Sequence, residues 1–537
     1  MKTRRRLITG GRVFTADPAR PWATTVVIEG DRILFVGDTP PAGSDDMEET
    51  IDVAGGLVLP GFIDGHVHVA MTGASMLKAQ LRGSGSLDEI RRRVRAWADE
   101  HPDEPRVLGT NWVHSDVPDA KPTRQMLDDI VPDRPVYLEA YDFHSSWVNS
   151  AALAELGIDN DTPDPIGGEI VRDPATGEAT GHLLENACAM WVRPLLANVA
   201  DQVREQHIVA ALDAFARAGI TGAVEMALEE PVLRAMHALH ETGRLTARIV
   251  GHMIIYRTGE AETELAQVRR AVDLANTYRG DRLRVGGIKI IADGTIDGCT
   301  AALSAPYATG EDAEPIWDPQ ALDPVVRAAD AAGLQIAIHA IGDEAVRIAV
   351  DALESAMRVN RTAGRRHRIE HLEYAREEEI TRMGALGITA SMQPVHLDPA
   401  ILDHWLEVLG PERANHSFAW PLYLAAGAAL AFGTDTPTAP HEALPNMYLA
   451  STRKSPTDDT LPALRPDWAL PVEQAVLHGT REPAWAAWLE HRTGMLKPGL
   501  AADLVVLDRD VLAGEPSVLL QTGVRMTMMD GTVVHSS

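Results

Sequence analysis

Short runs of alternating apolar and polar residues open the chain. Residues 7–15, 23–29 and 32–36 fit strands with one buried face, and Gly30-Asp31 supplies a tight turn between the last two. The far end has the same texture. Residues 502–508 (ADLVVLD) and 524–529 predict strands, followed by a second turn pair, Asp530-Gly531. Matching β character at both ends predicts one small β-sandwich built from both termini, residues 1–58 and 485–537, enclosing a different domain.

Between them the period changes. Apolar runs at 58–63, 220–225, 285–292 (VGGIKIIA), 334–339 (LQIAIH), 367–371 (HRIEH), 388–392 and 428–433 (AALAFG) predict buried strands. Amphipathic helices are predicted at 203–218, 322–332, 345–357 and 377–386, with Gly219 and Gly333 as stops. Strand, loop and helix in this rhythm predict a parallel sheet, and about eight such units fit an α/β fold of the (β/α)8 TIM-like barrel type over residues 59–484. Residues 75–200 break the rhythm. They are rich in Pro, Gly, Asp and Trp, as in TPDPIGGEIVRDPATGEATG, and predict an inserted lobe over the barrel mouth.

Composition narrows the picture. With 49 basic and 77 acidic residues the formal charge is −28. Such a surface repels nucleic acid and anionic lipid, so neither is expected as a partner. Two cysteines, Cys188 and Cys299, exclude a disulfide framework and suit a reducing compartment. The start, MKTRRRLITGG, is basic but lacks the apolar stretch of a signal peptide, and no window reads as a membrane span. A cytoplasmic location is the expectation.

Candidate chemistry gathers where the predicted strands end, which in such barrels is the functional face. His66 and His68 are alternate residues of a strand end and share one side. Taken alone the pair is a weak signal. His339 closes LQIAIH, His371 closes HRIEH, and Asp435 follows AALAFG. A lone His at such a place is more often a core or rim residue than a ligand. Four strand ends that each offer imidazole or carboxylate form the donor set of a divalent transition metal. Lys289 lies inside VGGIKIIADG, where a buried ammonium is costly. A salt bridge to Asp293 or a snorkelling stem explains it as well as a functional role does. Asp343 and Glu344 fit either a solvated helix start or groups that orient ligands.

The ordered motifs GFIDGHVH, IKIIADG, IHAIGDEAV, HRIEHLEY and FGTDTP resemble the amidohydrolase superfamily. PTRQMLDDIVPDRPVYL, HSSWVNSAAL and GMLKPGLAADLVVLD resemble its subgroup of N-substituted formamide deformylases and YtcJ-like proteins. The resemblance covers nearly the whole chain. It implies that His66 and His68, helped by Asp435, bind the more buried metal, and that His339 and His371 bind a second. It also implies an N6-carboxylated Lys289 bridging the two, with zinc as the expected metal, one or two per chain.

The implied activity is metal-assisted hydrolysis of a non-peptide C–N bond of amide, N-substituted formamide or carbamate type, with Asp435 as proton carrier. The same machinery serves ester or lactone hydrolysis, and a decarboxylating lyase or a non-catalytic scaffold are the rival classes. A small-molecule substrate is expected, and self-association by analogy with the architecture. Trp112, His144, Trp147 and Met392 are candidates to contact an apolar substituent, although core packing explains each of them. His396 and His441 are further pocket candidates.

Overall fold

Eight parallel strands follow one another in chain order: Phe62–Val67 (β1), Ile220–Leu228 (β2), Arg248–Ile254 (β3), Leu283–Ile291 (β4), Gln335–Ala340 (β5), Arg368–His371 (β6), Thr389–Met392 (β7) and Leu430–Phe432 (β8). The structure, a computed structural model, describes residues 5–39, 47–141, 144–165 and 167–537. The first four residues of the basic N-terminal stretch and Ile166 of the Pro/Gly-rich run lie outside the described residues. Every neighbouring pair of the eight is parallel. The two edge strands meet just beyond β8, where Asp435 N donates to His66 O at 2.7 Å and His68 N to Thr436 O at 3.0 Å. Close approach at this seam depends on glycine. A Cβ on Gly65 would lie 2.6 Å from Phe432 O, and one on Gly433 would lie 2.4 Å from His66 N. The sheet is therefore the barrel that the periodicity predicted.

Two departures from the predicted elements have clear causes. β3 (RIVGHMI) was not foreseen, because Arg248 and His252 interrupt its apolar run. Both are buried and satisfied. The Arg248 guanidinium meets Asp503 at 2.7 Å and also Asp530, and His252 Nε2 meets Gln335 Oε1 at 2.9 Å. The predicted strand 58–63 is two strands. Leu57–Pro60 pairs with Leu504–Leu507 in a small sheet, and the chain passes through Gly61 into β1. A side chain at Gly61 would collide with Thr221, whose Oγ1 lies 2.2 Å from an ideal Cβ. The small β domain thus runs to Pro60, past the expected 58.

Gly10 and Gly11 likewise divide the predicted 7–15 strand into Arg5–Thr9 and Arg12–Phe14, which join different sheets. Gly10 has φ +82°, a conformation that glycine adopts without strain. The four-stranded sheet of Arg32–Gly37, Thr25–Glu29, Arg5–Thr9 and Glu49–Asp52 and the six-stranded sheet containing both chain ends share one core. Ile8, Val26 and Ile28 from the first pack with Val58, Leu504, Val506 and Met528 from the second, which makes a sandwich from both termini.

Helices follow the strands, as in Asp343–Asn360 after β5 and Glu377–Leu386 after β6. Asp343–Asn360 buries a stripe including Val346, Ala349, Val350 and Leu353 at helical spacing. Among the described residues no helix is long and apolar enough to cross a membrane.

The chain divides into two units. The barrel and the sandwich belong to the first, Met1–Val69, Leu212–Thr436 and Pro440–Ser537. The second, Ala70–Ala211 with Pro437–Ala439, has its own mixed six-stranded sheet in the order Gly168–Arg172, Ala179–Glu185, Ser145–Val148, Val136–Ala140, Val107–Trp112, Ala79–Gln80. Helix Leu87–Glu100, capped by Ser86, buries Ile90, Val94 and Ala98 against the core that holds Trp112, Leu138 and Trp147.

Candidate metal centre

His66 sits near the end of β1, fully buried. Its Nδ1 lies 2.7 Å from Glu370 Oε2 on β6. A carboxylate accepts only, so Nδ1 carries the proton and Nε2 presents a lone pair. That nitrogen faces Asp435 Oδ1 at 3.2 Å. His68 is set the same way. Its Nδ1 lies 2.7 Å from Met226 O, which fixes the proton there, and its Nε2 lies 3.0 Å from Asp435 Oδ1. His371 ends β6, and its buried Nδ1 has no hydrogen-bond partner among the described residues. Donor atoms of His66, His371 and Asp435 all lie within 4.8 Å of one another. Two imidazole nitrogens and a carboxylate oxygen, converging in a buried pocket with one nitrogen unspent, fit a divalent transition metal.

The remaining ligand candidates stand close by. The His339 ring centroid is 4.4 Å from that of His371, and its Nε2 lies 3.2 Å from Gly294 O. Lys289 lies on β4, 2% exposed. Among the described residues it makes no ion pair with Asp293, whose carboxylate accepts instead from the amides of Ile341 at 3.0 Å, Gly342 at 2.9 Å and Ala302 at 3.0 Å. Burial pushes the Lys289 ammonium down to about 8, against the pull of Glu370 and Asp435. Burial alone would raise Asp435, but His66 and His68 hold it well below the usual carboxylate range. His371 and Asp435 also have positive φ, 75° and 58°. Such backbone is costly for side-chain-bearing residues and persists where the surroundings enforce it.

Several partners had no distinct signal in the sequence. Glu370 is the anion behind His66, and Arg368 holds it with Nε at 2.5 Å from Oε1. The same guanidinium donates to Gly65 O at 2.7 Å and Ser391 Oγ at 2.5 Å. Arg368 and Glu370 share the face of β6 turned into the barrel, and HRIEH alternates in the way that could have revealed them. Asp64 accepts from His66 N at 3.1 Å and Thr434 N at 2.9 Å, and so ties the two edge strands. Burial raises its carboxyl to about 7. Asp293, read above as a salt-bridge partner, stands 3.5 Å from His339 Nε2 instead.

Other candidates fall elsewhere. Trp112 and Trp147 are core residues of the second unit. Both are fully buried, with indole N–H groups given to Leu138 O at 3.1 Å and Thr123 O at 2.9 Å, so neither offers a contact face. His144 pairs with Glu185 at 2.7 Å in that unit. Met392 closes β7, fully buried beside β8. His396 is drawn to the centre. Its Nε2 is 3.8 Å from Asp435 Oδ2, and its ring stacks on His371 at 5.9 Å. His441 packs on Phe215. Asp343 accepts from Ser304 N at 2.8 Å and Glu344 pairs with Arg347 at 2.5 Å, so both brace their own helix start and its adjoining loop.

The profile of the amidohydrolase family matches residues 49–535. Protein LONG AFTER FAR-RED 3 of Arabidopsis thaliana is 32% identical over 93% of this chain and 86% of its own length. Putative amidohydrolase YtcJ of Bacillus subtilis is 30% identical, covering 95% and 97%. N-substituted formamide deformylase of Arthrobacter pascens is 27% identical, covering 98% and 97%. Among solved structures, an uncharacterized metal-dependent hydrolase from Pyrococcus horikoshii superposes with TM-score 0.78 at 25% identity, covering 95% of this chain and 99% of that one.

Proposed function

Since the chain belongs to the amidohydrolase family, we propose that it is a metal-dependent hydrolase acting on a non-peptide C–N bond of amide, N-substituted formamide or carbamate type. The observation that carries the reading is the convergence of His66, His371 and Asp435 donor atoms inside the barrel. Likeness to a formamide deformylase along nearly the full length of both chains supports the bond type.

A divalent metal, for which zinc is our choice, makes water a stronger acid and polarises a carbonyl. The chain's own residues do the rest. His66 and His68 present Nε2 because Glu370 and Met226 O occupy Nδ1. Asp435 stays ionised, so it can accept a proton from the attacking water and return it to the departing nitrogen. The C–N bond breaks as a C–O bond forms, giving an amine and a carboxylic acid or, from a carbamate, an amine and a carbonic half-ester. Lys289 we take to be N6-carboxylated. Its amine, depressed to about 8 by burial, attacks carbon dioxide and releases a proton, which replaces a buried cation with a carbamate anion. Two free cysteines fit a cytoplasmic site of action.

Metal content of the purified chain, by mass spectrometry, tests this together with turnover of formamides, amides and carbamates. We expect about one or two equivalents of metal and a fall in turnover of about 10²–10⁴ in Asp435→Ala. Failure to take up zinc, manganese or cobalt sinks the metal reading. Turnover of esters but of none of the C–N substrates overturns the bond assignment.

A further inference from the structure

The opposite end of the barrel holds a second cavity. Its volume is ≈ 310 Å³, and Val250, Gly286, Gln335, Ala487 and Trp488 line it together with Arg284 and, at Gly333's side, Arg365. Gln335 begins β5, and His339 lies four residues further along that strand. The cavity is thus about 13 Å of strand away from the metal centre.

The charges on its wall are unequal. Arg365 is matched by Asp330, with Nε 3.2 Å from Oδ1. Arg284, the second residue of β4, donates to the Ala487 carbonyl. Among the described residues it has no carboxylate within ion-pair distance. The two acids whose charge reaches it are engaged elsewhere. Glu490 pairs with Arg366 at 2.8 Å, and Asp281 points toward Arg492 at 3.8 Å. Arg284 is part-buried, and burial lowers its guanidinium from the ordinary range. A part-buried cation with no carboxylate in ion-pair reach is open to one supplied by a ligand, and a planar carboxylate fits its fork of donors. Around it stand Val250, Ala487 and the 39% exposed Trp488, whose ring also carries the Arg366 guanidinium at 3.8 Å from its centroid. The volume is at the small end of ligand sites.

We propose that this cavity binds a small monocarboxylate with an apolar body, its carboxylate on Arg284 and its body against Val250, Ala487 and Trp488. One unmatched cation sets the charge of the ligand at one.

Benzoate is the probe, and benzamide its uncharged isostere. Calorimetric titration of the metal-loaded full chain is expected to show saturable benzoate binding, with benzamide weaker by about 10-fold or more. Arg284→Met should weaken benzoate by about 10-fold, and Arg284→Lys by less. Trp488→Ala, at a half-exposed position, should also weaken it and guards against a fold defect in the arginine variants. Asp435→Ala must leave benzoate affinity unchanged, since a carboxylate could also reach the metal centre. The proposal is overturned by no saturable benzoate binding, by equal affinity for benzamide, by indifference to Arg284→Met, or by loss of binding in Asp435→Ala. None of these outcomes bears on the hydrolase reading, which metal content and turnover decide.

Discussion

Glu370 fixes which nitrogen of His66 faces the centre, and its own charge is fixed by Arg368. Replacing it with Gln keeps the shape and removes the anion. We expect metal affinity to fall by about 10–100-fold in Glu370→Gln, read by competition with a chromophoric chelator. Unchanged affinity would mean that Glu370 serves Arg368 alone. A second residue-scale effect lies in the other unit. Burial pushes His182 down to about 3. The folded state keeps this imidazole neutral throughout the range where the unfolded chain, with an ordinary value of 6.5, takes up a proton. Stability is indifferent to this group above pH 6.5 and falls as pH drops from there toward 3, by about 1.4 kcal/mol per pH unit. Urea unfolding of metal-free protein at stepped pH should show a shallower acid slope in His182→Gln, and an identical slope would refute the assignment. At this scale the sequence marked candidate ligands more readily than their supports. His66, His68, His339, His371 and Asp435 stand at strand ends, a position that can be read from apolar runs. Glu370 and Arg368 lie within a strand, and although HRIEH alternates, their roles behind His66 and Gly65 need the fold.

Among elements, the seam between β1 and the segment after β8 sets how close His66 and Asp435 come. Gly433 permits it, because a Cβ there would lie 2.4 Å from His66 N and 2.8 Å from His66 Cβ. Gly433→Ala should cost about 1–3 kcal/mol of stability. It should also lower metal retention, measured on the same preparation by melting temperature and metal analysis. Stability loss with full metal retention would show that the seam tolerates opening without moving the ligands. The strands that were legible are those whose apolar runs are unbroken, such as LQIAIH and AALAFG. β3 was hidden because its polar side chains find partners far away in sequence, Asp503 and Asp530 for Arg248. Strand breaks at Gly10-Gly11 and Gly61 were hidden because an alternating pattern does not say which sheet a strand joins.

For the whole molecule, the ion cluster of Arg248, Asp503 and Asp530 joins the first residue of β3 to strands from the C-terminus. Arg282 and Arg492 reach Asp530 as well, at 2.8 Å and 2.7 Å. Removing Arg248 leaves Asp503 buried without its bidentate partner. Arg248→Met should destabilise by about 3–5 kcal/mol, seen as a lower denaturation midpoint, with the metal ligands in place. A midpoint within experimental scatter of the parent would show that Arg282 and Arg492 suffice. The sandwich at the two ends was visible from sequence because both ends carry the same short alternating strands. Its register was not, because pairing between strands so distant leaves no local trace.

That register has a consequence on the ribosome. Leu57 lies opposite Leu507, so Leu57–Pro60 emerges about 450 residues before its partner. At roughly 5–20 residues per second the nascent chain carries an apolar strand with one edge still unpaired, the other facing Arg12–Phe14, for roughly 20–90 s. Through that interval the segment is exposed to aggregation and to chaperone capture. Synthesis speed and holdase supply, more than equilibrium stability, should therefore govern how much active protein a cell obtains.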